Sequence, residues 1–99
     1  MTREQILYAA RDCVTGQRVE DYGKVEDNFA TIAEMWTTYM EAAKCVATGV
    51  HVELLGEDVA LMMALLKIAR ATTSDNMDNL IDLAGYAACA GELIGGAES

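Results

Sequence analysis

Proline is absent from the 99-residue chain, and basic residues are scarce, with 7 Lys and Arg against 16 Asp and Glu. The resulting net charge of -9 repels a phosphate backbone and leaves no basic stripe for counterion release, which argues against general DNA or RNA binding. The cysteines are three, Cys13, Cys45 and Cys89, an odd number without metal-type spacing, each set among Ala, Val or Tyr. They read as small apolar residues in a reducing cytosol and not as a disulfide frame. One histidine, His51, stands alone in a connector. There is no Ser/His/Asp or Cys/His arrangement, no Walker loop and no Gly-x-Gly-x-x-Gly. The longest purely apolar run, residues 59–66, is far too short for a membrane span. The start "MTREQILYAARDC" is charged and has no apolar h-region, so no secretory signal is expected. These absences predict a soluble, cytoplasmic protein without a membrane partner.

What the chain does have is apolar surface. Hydrophobic residues make up 53% of it, a high share for a length that predicts one domain, residues 1–99, with a modest core. A monomer of that composition would leave apolar side chains in water, so a homo-oligomer is expected.

Without proline, the breaks between helices fall to glycine: Gly16, Gly23, Gly49 and Gly56 punctuate the first half. Thr2 with Gln5 matches a capping box and predicts a first helix over residues 3–15. Phe29, Ile32, Ala33, Trp36, Tyr39, Met40 and Ala43 recur at spacings of three and four, predicting a second over residues 25–48, stopped at Gly49. "VHVELLG" is a connector with room for a short extended piece. Glu57 and Asp58 open a third helix and Arg70 closes it, as the helix dipole favours. Its middle, "VALMMALL", is apolar on every side, which a four-helix unit can cover only in part. Ser74 or Asp75 caps a fourth helix that ends at Gly95-Gly96. Ala84, Gly85, Ala87, Ala88, Ala90 and Gly91 would let another helix approach it closely. The fold class is therefore all-α, a four-helix bundle-like domain completed by oligomerisation.

Charge gathers where the third and fourth helices meet. The short connection between them makes them antiparallel neighbours, so residues whose numbers sum to about 148 lie level. Lys67 falls level with Asp82 and Arg70 with Asp78, while Asp75, Asp78 and Asp82 share a face by their three and four spacing. One account is a salt-bridged hairpin with aspartates placed at a positive helix end. The other is a polar site, with Asp78 and Asp82 for a hard divalent cation and Lys67 and Arg70 for phosphate oxygens. Arg18 and Tyr22, in the turn between the first two helices, could lie over its mouth and hold a phosphate or stack a base. Trp36 is expected in the core, and Tyr86 is expected to reach a buried partner with its hydroxyl.

Three segments, "EDYGKVEDNFATIAEMW" (20–36), "EDVALMMALLKIAR" (57–70) and "DNMDNLIDLAGYAA" (75–88), together resemble a small uncharacterised family of proteins from tailed phages and prophages. Its pattern is Asp-Tyr-Gly, Asn-Phe then Trp, Lys-x-x-Arg, and Asp-Asn-x-x-Asp-x-x-x-Tyr. More distantly, the Asp-Tyr-Gly and the "DLAGYA" ending look like phage nucleotide-modification-associated domains, related to the all-α nucleotide pyrophosphohydrolases of the MazG type. Those enzymes hold Mg²⁺ with a Glu-x-x-Glu on one helix and a Glu-x-x-Asp on the next. Asn79-Leu-Ile-Asp82 sits where the second motif would be, but with Asn at position 79. The second helix carries Glu26, Asp27, Glu34 and Glu41 and no Glu-Glu-x-x-Glu. The resemblance implies a MazG-like fold, possession of a nucleotide or related phosphorylated ligand, Mg²⁺ as the associated cofactor, and the cytoplasm of a host cell as the setting. A binder of such a ligand is the first expectation; an Mg²⁺-dependent nucleotide pyrophosphohydrolase and a non-enzymatic oligomeric interaction module are the alternatives.

Overall fold

Thr2 starts the first helix by a reciprocal exchange of hydrogen bonds. Its Oγ1 accepts from the Gln5 backbone N–H at 3.2 Å, and the Gln5 side-chain oxygen accepts from the Thr2 N–H at 2.8 Å. Two of the donors left over at a helix start are thereby satisfied. The computed structural model describes residues 1–15, 25–47 and 49–95, with the backbone alone over 25–27. Among these residues the chain is all-α, with helices α1 (Arg3–Val14), α2 (Val25–Ala42), α3 (Gly56–Ala71) and α4 (Met77–Gly95) and no strand. None of them is long and apolar enough to cross a membrane.

Helix α2 buries Phe29 and Ala33 and packs Ile32 and Trp36 against the same core, the stripe that its spacing predicts. It ends at Ala42, well before the expected stop at Gly49. The reason lies in Lys44, whose φ of 59° is left-handed. Its N–H donates to the Glu41 carbonyl at 3.2 Å, and the Cys45 N–H donates to the Met40 carbonyl at 2.9 Å. That pair of bonds is a Schellman closure with a lysine in the position usually held by glycine. The connector that follows is tied back to α2 at its far end, where Thr37 Oγ1 accepts from the Leu54 N–H at 2.9 Å.

Helix α3 opens with half a capping box: the Asp58 carboxylate accepts from the Leu55 N–H at 2.8 Å, while Leu55 offers no side-chain oxygen in return. At its other end the hydroxyls of Thr72 and Thr73 donate to the carbonyls of Ala69 and Arg70 at 2.7 and 3.3 Å. Asn76 caps α4, its Oδ1 accepting from the Asp78 N–H at 2.9 Å, and the Ser74 Oγ accepts from the Asn76 N–H at 3.2 Å. The cap thus falls just beyond Ser74 and Asp75, the positions expected from sequence.

Helices α3 and α4 form the principal pair, with α1 laid on α4 and α2 on α3. Phe29, Ala33, Val59, Ala60, Cys89 and Ala90 make one buried cluster, and the Phe29 and Tyr86 rings stack with centroids 6.2 Å apart. A Cβ at Gly56 would stand 3.3 Å from the Phe29 Cβ, so the start of α3 comes close to α2. At Gly85 it would stand 3.2 Å from Val14 Cγ1, whereas at Gly91 nothing lies within 4 Å. Of the two glycines expected to admit a neighbouring helix, Gly85 alone does so among the described residues. The α3 run divides: Val59, Ala60 and Ala64 are buried and Met63 packs on the core, while Leu61, Met62, Leu65, Leu66 and Ile68 face water.

Three stability outcomes follow from these positions. Lys44→Gly should raise the urea unfolding free energy by about 0.5–1 kcal/mol, because relief of a left-handed β-carbon (about 1–2 kcal/mol) outweighs glycine's extra unfolded-state entropy. In the same assay Gly91→Ala should stabilise by up to about 1 kcal/mol from helix propensity alone. Gly85→Leu should cost about 1–3 kcal/mol by forcing α1 away from α4.

Candidate functional site

The antiparallel α3–α4 hairpin sets Lys67 and Asp82 level with one another, and the helical period turns both toward the seam. Lys67 Nζ lies 3.0 Å from Asp82 Oδ2, with the side chains 13% and 27% exposed. The pair joins two elements and is largely withdrawn from solvent, unlike the exposed neighbours Arg11 and Asp12 at 3.4 Å. Removing one partner would leave the other charge partly buried and without its counter-ion. No fully buried polar or charged residue accompanies it among the described residues.

The rest of the expected constellation is looser. Arg70 and Asp78 are level but both exposed, and no described carboxylate lies within 4.0 Å of the Arg70 guanidinium. Asp78 occupies the first turn of α4, where its charge faces the positive helix end. Asp75 is exposed in the turn. Arg18 and Tyr22 lie outside the described residues. Among those described, no three His, Cys, Asp or Glu side chains converge as metal ligands would. Among the described residues the Lys67 ammonium lies against one side of Asp82, and Asp78 is exposed one turn before it.

Other sequence candidates take structural places. Trp36 is half-buried against the core, as expected. Tyr86 contributes its ring to the Phe29 stack; the buried partner expected for its hydroxyl is not found among the described residues. His51 is exposed, with Nδ1 3.9 Å from Glu41 Oε1. Cys89 is buried at 5% exposure, and its thiol pKa is raised, first by burial and then by the nearby Glu92 charge. A thiol held protonated in this way is a poor nucleophile.

The ion pair has a measurable worth. Asp82→Ala should cost more than the roughly 0–1 kcal/mol of an exposed pair and less than the 3–5 kcal/mol of a fully buried one. Asp12→Ala is the exposed control in the same chemical denaturation series. Equal losses in the two variants would show that the seam gives Asp82 no protection from solvent.

Comparison with known proteins places the chain among phage proteins. The model of the domain of unknown function DUF6378 matches residues 5–94. The Gene 55 protein of Mycobacterium phage L5 is 41% identical over 83 residues, which cover 83% of this chain and 47% of that protein. The Gene 55 protein of Mycobacterium phage D29 is 37% identical over 87 residues, covering 87% of this chain and 51% of that protein. The chain thus spans about half the length of these curated relatives. No solved structure matches it. With the family model running from α1 to the end of α4, the chain belongs to the DUF6378 family.

Proposed function

We propose that the chain binds a phosphorylated small molecule, in the first instance a nucleotide, at the α3–α4 seam, in the cytoplasm of the host cell. The observation that carries this reading is the pairing of a held cation with one that has no counter-ion among the described residues. Lys67 is oriented by Asp82 at 3.0 Å in a seam where it is only 13% exposed. Arg70, three residues along the same helix and hence on the same side, has no described carboxylate within ion-pair distance. An incoming phosphate would meet one preoriented ammonium and one guanidinium free to fork onto two oxygens. Arg18 and Tyr22, from the turn between α1 and α2, would complete the mouth.

Magnesium would arrive with the ligand. Mg²⁺ is commonly held by one or two carboxylates together with substrate phosphates, and Asp78 and Asp82, one turn apart on α4, fit that mode better than a free-standing site. The likeness to MazG-type enzymes supports the same location, since Asn79-Leu-Ile-Asp82 lies where their Glu-x-x-Asp would be. The enzymatic alternative requires further carboxylates to activate water, and the described residues bring no third one to Asp78 and Asp82. The reading as an interaction module draws on the apolar α3 face.

A thermal-shift panel of nucleotides with and without Mg²⁺ tests the proposal. At about 100 times Kd, binding adds about 2.7 kcal/mol, enough for a shift of several degrees in a domain of this size. Lys67→Ala should lose that shift relative to its own unliganded melting temperature, and Arg11→Ala should keep it. No pyrophosphate release from standard nucleoside triphosphates is expected. Turnover that disappears in Asp82→Asn would favour the enzyme instead, and a flat response across the panel would favour the interaction module.

A further inference from the structure

We draw no further inference here: the strongest candidate, the exposed aliphatic face of α3 that carries Leu61, Met62, Leu65 and Ile68, carries nothing further, because nothing among the described residues shows what covers it.

Discussion

Everything in the described structure hangs on the antiparallel contact of α3 with α4. Small residues on both helices, Ala60 and Ala64 on one and Cys89 and Ala90 on the other, are buried, and such residues allow helix axes to draw close. Once the two are packed, α2 can lay Phe29 and Ala33 into the cluster around Val59, and α1 can set Val14 over Gly85. The same contact brings a lysine on one helix level with an aspartate on the next. The core and the polar seam are thus two consequences of one alignment.

The parts legible in the sequence are those governed by short-range or periodic rules. The Thr2–Gln5 box, the buried stripe of α2 and the Lys67–Asp82 pair needed only capping chemistry, the 3.6-residue period and a short turn. The end of α2 was harder, because a glycine at position 49 is a stronger written signal than a lysine at 44, and only the hydrogen bonds of Lys44 and Cys45 to Glu41 and Met40 reveal where the helix closes. Asn76 was passed over as a cap beside two equally good candidates, Ser74 and Asp75. Gly85 and Gly91 look alike on paper; which one lies under α1 depends on the crossing of two helices distant in sequence. Arg70 and Asp78 show the limit of level-counting, since equal height does not bring two exposed side chains together.

The chain's charges follow the same division between seam and surface. Its acids outnumber its bases more than two to one, and the half-buried seam holds one of each. Lys67 there has a fixed counter-ion in Asp82, and Arg70 has no described one, with Asp75 and Asp78 exposed close by. The Gene 55 relatives carry about as much chain again beyond the segment they share with this one.

The shortness of the turn at 72–76 also bears on how the molecule forms and opens. Closing so small a loop costs little chain entropy, so α3 and α4 can meet early, and contacts close in sequence are those that fold fast. Helix α1 stands at the other extreme: Ala10 is its one buried residue, and its partner α4 lies far along the chain. Its amides should exchange with solvent by local opening long before those of α3 and α4, which makes the N-terminal helix the detachable edge of a domain built outward from its C-terminal hairpin.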